Sequence, residues 1–279
     1  MELLCRQDDP SIQFKKPYVW FMNHSGFVLA LDHATVVIDY YTDPEAVLKP
    51  YLEREQALIF LVTHEHYDHW NPDILHLHSK RPSLYILDEG CRRFFEENQF
   101  AYQPETTVFV KPGDQIEALE ALRQRHEDIW PFEDFAVFPS TDAGSSFFFR
   151  AQGYNYFHSG DLNDWDWQDE ASEAMRQSYD DVLQSLKQWL EARQYHLDVS
   201  FVPMDGRLAD RAAAGATRFL TYFHPTYLLP MHLNGGIEAP RALAKAPEAK
   251  DTKVLLLQRP GDRIDANGVR IPPCLTDVV

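Results

Sequence analysis

The chain has 279 residues, 44% of them hydrophobic and 13% aromatic, which supports one large core or at most two small ones. Its formal charge of -17 argues against DNA or RNA as the main partner, because a nucleic-acid binder carries a basic face. A small anionic substrate remains compatible with that charge, since a bound metal ion inverts the local field.

Residues 1–6 turn polar at once instead of forming a leader, and the apolar stretches are broken by charges or prolines well short of a membrane span. Cys5, Cys91 and Cys274 are odd in number, far apart and without a CxxC pair, so they read as reduced thiols. The expectation is a cytoplasmic protein that meets neither membrane nor nucleic acid.

In chain order, residues 18–22, 27–31 and 35–39 read as a meander of β-branched and aromatic strands, with Asp39 ending the third. Asp43 and Pro44 predict a helix start carrying Val47, Leu48, Tyr51 and Leu52. Residues 58–62 form an apolar run too short for a helix and the right length for a buried strand. Directly after it comes Thr63-His64-Glu65-His66-Tyr67-Asp68-His69-Trp70, with three histidines and two carboxylates in eight residues. A short helix at 71–78, a strand at 84–87 and a helix over 88–99 follow.

Residues 107–110 and 135–138 read as strands, and 146–150 with 154–158 as a hairpin that leads into Ser159-Gly160-Asp161. Met175, Tyr179, Val182, Leu183, Leu186, Trp189 and Leu190 share one face of a long amphipathic helix over 169–194. A strand at 199–202, an alanine-rich helix at 210–223 stopped before Pro225, and a strand ending in His232 come next. A last helix at 236–247 and a last strand at 253–258 complete the chain. Strands and helices in this order suggest two packed sheets with helices outside.

Acidic residues and histidines sit at the ends of these strands: Asp39, His64, Asp142, Asp161, Asp205 and His232. Aligned strands would bring them to one edge, where two imidazoles and a carboxylate make a good zinc site. An aspartate between two ions could bridge them, and two ions roughly 3.5–4 Å apart can share and activate a water.

His64 to His69 is an HxHxDH motif. With Asp39 before it, and Ser159-Gly160-Asp161 and Pro230-Met231-His232 after it, the sequence resembles the metallo-β-lactamase superfamily over nearly the whole chain. The resemblance implies an α/β fold of the four-layer αββα sandwich type, in a single domain over residues 1–279. It implies that His64 and His66 bind a first metal, that Asp68, His69 and His232 bind a second, and that Asp161 bridges. Asp68 would also orient the nucleophilic hydroxide. Two zinc ions are the expected cofactors, with manganese or iron as alternatives.

One departure stands out. The family supplies a third histidine to the first metal between the HxHxDH motif and the bridging aspartate, and residues 139–146 contain none. Asp142 is the best substitute, with His126 and His158 as alternatives; a second reading of His158 is as a support behind Asp161. A carboxylate there would make the site harder and more suited to manganese or iron. Asp39 reads as structural. His24 either lines the site or is an ordinary strand-end histidine, and His33, His76, His78, His196 and His224 read as surface or core. Asp205 and Arg207 read as an ion pair at a turn or as a substrate contact; Trp165 and Trp167 read as core or as a pocket wall.

A looser resemblance, carried by residues 23–27 and 157–163, is to hydrolases akin to ascorbate 6-phosphate lactonase, and it implies a small phosphorylated or lactone-type substrate. The leading expectation is a metal-dependent hydrolase of a small ester, lactone or phosphodiester. The alternatives are a non-catalytic or mononuclear metal-binding member of the fold, and a di-iron oxidoreductase. The latter ranks lower because the resemblance calls for glutamate where His66 stands, and for a flavin domain.

Overall fold

In the computed structural model, residues 15–271 are described. The apolar runs become two sheets. The first contains β1 (Tyr18–Asn23), β2 (Gly26–Ala30), β3 (Ala34–Ile38), β4 (Ala57–Val62), β5 (Leu84–Asp88) and β6 (Thr107–Val110). The second contains β7 (Phe132–Pro139), β8 (Ser145–Ala151), β9 (Tyr154–His158), β10 (Val199–Pro203), β11 (Tyr227–Met231) and β12 (Lys253–Val254). The chain then returns, and β13 (Arg263–Ile264) pairs with β1, closing a seven-stranded first sheet against a six-stranded second.

Each sheet begins as an antiparallel meander and continues parallel: β3 to β6 in the first, β9 to β12 in the second. Parallel strands buried on both faces explain the near-continuous apolar runs. The two-residue pleat sends Phe27 and Leu29 into the core between the sheets and Val28 to the outer face. In the second sheet Phe147 and Phe149 face inward while Phe148 faces out.

Helices cover both outer faces, giving four layers. On the first sheet α1 (Lys49–Leu52) and α2 (Glu89–Glu97) contribute Tyr51, Cys91 and Phe95. A short α3 (Glu120–Arg125) adds Leu122 to the core between the sheets. On the second sheet α4 (Ser172–Arg193) packs Tyr179, Val182, Leu183, Leu186 and Leu190, the face its periodicity predicts. Beside it lie α5 (Ala214–Tyr222), with Phe219 and Leu220, and α6 (Glu238–Leu243), with Leu243.

Several expectations shift. No helix grows from Asp43 and Pro44, because Ala46 adopts φ 53, left-handed backbone that breaks helix propagation. The Asp43 carboxylate instead accepts from the amides of Val47 and Leu48, and α1 begins only at Lys49. The helix expected over 210–223 is a 3-10 segment, Gly206–Arg211, followed by α5, with Ala209 at φ 52 inside the first piece. The strand expected at 253–258 pairs for only two residues. The return strand β13 and helix α3 were not expected.

Cys91 is buried and unpaired, while Cys5 and Cys274 lie outside the described residues. Among the described residues no helix is long and apolar enough to cross a membrane.

Candidate metal centre

The strand directions gather the chemistry at one edge. The carboxyl ends of parallel β3, β4, β9, β10 and β11 deliver Asp39, the 63–70 stretch, Asp161, Asp205 and His232. The antiparallel neighbours bring two turns to the same edge: β1–β2 with His24, and β7–β8 with Asp142. Backbone bonds lock these loops together. Ser145 N–H donates to the Thr63 carbonyl (2.9 Å), and His232 N–H donates to the His24 carbonyl (3.1 Å).

Three candidate ligand clusters result: His24, Asp68, His69 and His232; His64, His69 and Asp161; and His66, Asp142 and Asp161. All seven residues expected to hold metal therefore fall within them. Asp142, the weakest expectation, lies with His66 and Asp161. His126 bonds to the Glu105 carbonyl and belongs to no cluster. Fully buried His158 donates from Nε2 to the Ser25 carbonyl (3.0 Å) and accepts from Gly160 N–H (3.2 Å), so it braces the Asp161 turn and the His24 turn. His33, His76, His78, His196 and His224 are exposed.

Asp161 sits at the centre. Its Oδ1 lies 3.0 Å from His69 Nε2 and 3.5 Å from His232 Nε2, and its Oδ2 lies 3.4 Å from His64 Nε2. One carboxylate thus faces imidazoles on both of its oxygens, the disposition of a bridging ligand.

The far sides of the rings are fixed by partners of their own. His69 Nδ1 bonds to Asp39 (2.8 Å) and His232 Nδ1 to Asp205 (2.9 Å). Thr63 Oγ1 donates to Asp39, so it accepts from His64 Nδ1 (3.1 Å). With the Nδ1 atoms of His64, His69 and His232 engaged outward, their Nε2 atoms point to the centre, as in metal sites whose ligands are oriented by outer hydrogen bonds. Asp39, fully buried, also accepts from Thr63 N–H, so it holds the histidine loop as expected of a structural aspartate.

A metal fits this donor set. The Nε2 atoms of His64 and His69 and the Oδ1 of Asp161, which share one cluster, are all buried without a hydrogen-bond partner, as is His24 Nε2 beside Asp68. Orphaned buried polar atoms are costly, and a shared cation is the partner that satisfies imidazole lone pairs and carboxylates together.

The charges agree. Burial works against a charged His69, but the flanking Asp161 and Asp39 outweigh it and raise its pKa to about 10. Burial opposes ionisation of Asp161 too, yet His64 and His69 hold it far below the carboxylate range. His24 beside Asp68 keeps that carboxyl low, while burial lowers the pKa of His24 itself.

Metal uptake at His69 must then displace a proton. Metal affinity is expected to rise with pH toward about 10, with proton release measurable when metal is titrated into weakly buffered protein. In the metal-free chain the stabilisation from this raised pKa is complete below 6.5 and is lost as pH rises through about 10. Metal binding that releases no proton at neutral pH would contradict this arrangement.

The backbone is strained where the site needs it. His24 (φ 53), Asp39 (φ 46) and His232 (φ 55) all occupy left-handed conformations, which are rare for residues with a side chain. Gly144 shows the closeness of the loops: at φ 62, a Cβ there would lie 2.1 Å from the Thr63 carbonyl oxygen and 2.5 Å from His64 Cβ.

His24 is the site residue that sequence reasoning left undecided. Its Nε2 lies 3.3 Å from Asp68 Oδ2, and its ring centroid lies 4.0 Å from that of His232. The available signal was its position in a tight turn between two strands that end at the metal edge.

Two sheets with helices outside and metal-ligand side chains at one edge define a protein of the metallo-β-lactamase fold. The chain belongs to the family described as the beta-lactamase superfamily domain, which matches residues 18–177, more than half its length. No curated protein matches it. Among solved structures it is similar to Igni18, a metallo hydrolase of Ignicoccus hospitalis: 18% identity, TM-score 0.62, covering 88% of this chain and 97% of that one. YhfI, a metallo-beta-lactamase fold protein of Bacillus subtilis, gives 15% identity and TM-score 0.57 over 88% and 97%. CmlA, a diiron β-hydroxylase of Streptomyces venezuelae, gives 11% and 0.58, covering 91% of this chain and 55% of that one. At these identities the likeness is one of fold.

Proposed function

We propose that the protein is a metal-dependent hydrolase acting on a small ester, lactone or phosphodiester. The observation that carries this reading is the Asp161 carboxylate, turned toward imidazole Nε2 atoms on both of its oxygens. His64, His66, Asp142 and Asp161 would hold one ion; Asp68, His69, His232 and Asp161 would hold the other. His24 stands close enough to share the second. Zinc suits the imidazoles, and Asp142 keeps manganese and iron in play. When bound, such a pair supplies Lewis acidity and lowers the pKa of water to near 7.

The chain's own groups do the rest. Asp68, ionised and half-buried beside His24, lines the pocket, where its carboxylate would orient an attacking water and take its proton. His24 beside it keeps the carboxylate ionised. Asp39 and Asp205 hold His69 and His232 so that neither ring turns away. Trp165, donating from Nε1 to the Asp161 carbonyl (2.9 Å), closes one side against bulk water.

The test is metal analysis of the purified protein combined with turnover of matched ester, lactone and phosphodiester substrates. Asp68→Asn is expected to cut kcat by about 10²–10⁴-fold, the range for a lost general base. Undiminished turnover in that variant would remove Asp68 from the mechanism.

A second reading, di-iron redox chemistry, draws support from the carboxylate of Asp142 beside Asp161 and from the fold shared with a diiron hydroxylase. His66 in place of a glutamate puts it second. Iron in the purified protein, with an absorption spectrum that responds to reductant and oxygen, would favour it.

A further inference from the structure

A single cation stands over an acidic pocket. The cavity above the metal centre has a volume of about 410 Å³, and its charged lining is Asp68, Asp142, Asp161 and one guanidinium, Arg207. Arg207 leaves the end of β10 and turns back on fully buried Asp205. Its Nε lies 3.0 and 2.9 Å from the two carboxylate oxygens, and its Nη2 lies 2.6 Å from Oδ2.

That fork fixes the plane of the guanidinium and uses one edge of it. Nη1, with two N–H donors, has no hydrogen-bond partner among the described residues, and the side chain is 57% exposed at the pocket mouth. Asp205 also accepts from His232 Nδ1 and from Asn234 Nδ2 (2.8 Å), and its pairing with Arg207 uses only that one edge of the guanidinium. An arginine held at one edge by a buried carboxylate is pre-organised to present its other edge to an oxyanion.

The wall beside it is aromatic. Arg207 Cζ lies 5.7 Å from the Trp167 ring centroid. Trp167 is parallel to Trp165 (4° between planes), and Trp165 meets His232 edge-on at 5.6 Å. A strip of tryptophan thus runs from the metal centre to the guanidinium. Its outer ring is 47% exposed, although the rest of the aromatic content is largely packed away.

We propose that Arg207 and Trp167 form a substrate-selecting subsite for a small anion. A carboxylate or phosphate on the substrate is received by Nη1, its apolar body covers the exposed part of Trp167, and its scissile group lies over Asp161. This rests on the hydrolase reading of the same site. It adds which substrates that site takes: esters, lactones or phosphodiesters that carry a second, non-reacting anionic group.

Slowly reacting anilides test this by calorimetry on the metal-loaded protein: glutaric acid monoanilide, its phosphonate counterpart 4-phosphonobutyranilide, and neutral valeranilide. At least one anionic ligand is expected to bind about tenfold or more tighter than valeranilide, the size of a charge-assisted hydrogen bond. The two anionic arms distinguish carboxylate from phosphate recognition. Arg207→Gln is expected to abolish the preference with metal content unchanged, and Trp167→Ala to weaken all three ligands.

Equal binding of the neutral ligand, absence of binding by all three, or a preference that survives Arg207→Gln would overturn the proposal. So would loss of metal in Arg207→Gln, which would make Arg207 a positioning residue acting through Asp205 and His232. A failure of the hydrolase reading would show separately, as absent turnover of the matching nitrophenyl esters while the anilide preference persists.

Discussion

Asp161→Ala is expected to abolish metal loading at one or both of the proposed sites, and to reduce turnover by about a thousandfold, the loss that follows removal of a preorganised electrostatic group. The reason is geometric. Among the described residues, Asp161 is the one carboxylate whose two oxygens face imidazoles on separate sides, His69 and His232 on one and His64 on the other. Without it no other carboxylate among the described residues stands between the two halves of the site. The metal-dependent part of the thermal stability should shrink with the metal, because an ion that binds only the folded chain stabilises it by mass action. Metal content by mass spectrometry and melting temperature with and without added zinc provide the readouts. Two tightly held ions in the variant would show that Asp161 is not the bridge.

The second large effect is expected at a residue that touches no substrate. Asp39→Asn keeps shape and size but replaces an acceptor oxygen by an NH₂ donor. In the native chain the Asp39 carboxylate accepts from Thr63 N, Thr63 Oγ1 and His69 Nδ1, at 2.8 Å each, in a fully buried position. An amide can satisfy Thr63 N through its oxygen, but its nitrogen then meets the hydroxyl and the imidazole donor head-on. Breaking a buried charged pair by altering one partner costs about 3–5 kcal/mol, so urea unfolding of metal-stripped protein should shift to a clearly lower midpoint. With His69 no longer oriented, metal affinity should weaken by about 10–100-fold. A variant that unfolds like the wild type would mean that the histidine loop is held by its backbone alone.

These expectations draw unequally on sequence and structure. The HxHxDH stretch could be read directly because its donors are local: a buried strand, β4, ends at Val62, and the next few residues turn at its carboxyl edge whatever the rest of the chain does. Asp161 and His232 could be read because each follows a short apolar strand. The alternation of Phe147, Phe148 and Phe149 between two cores likewise follows from the pleat. The long face of α4 follows from its 3.6-residue period.

What escaped the sequence is non-local. Asp142 stood as one of three possible ligands; the β7–β8 turn places it beside His66 and Asp161, while His126 lies away and His158 turns to Ser25 and Gly160. The break at Ala46 overrode a good helix-start signal because the Asp43 carboxylate found amides four and five residues on.

The sequence by itself determined the fold class and the kind of donor residues that meet at one edge, since hydrophobic period and ligand spacing are properties of short segments. Only the tertiary structure decided which side chains stand around those candidates: His24 from the β1–β2 turn, Asp205 behind His232, and the Arg207–Trp167 wall. Each of these comes from a different strand end, and what unites them is the pairing order of the two sheets, set by contacts between residues far apart along the chain.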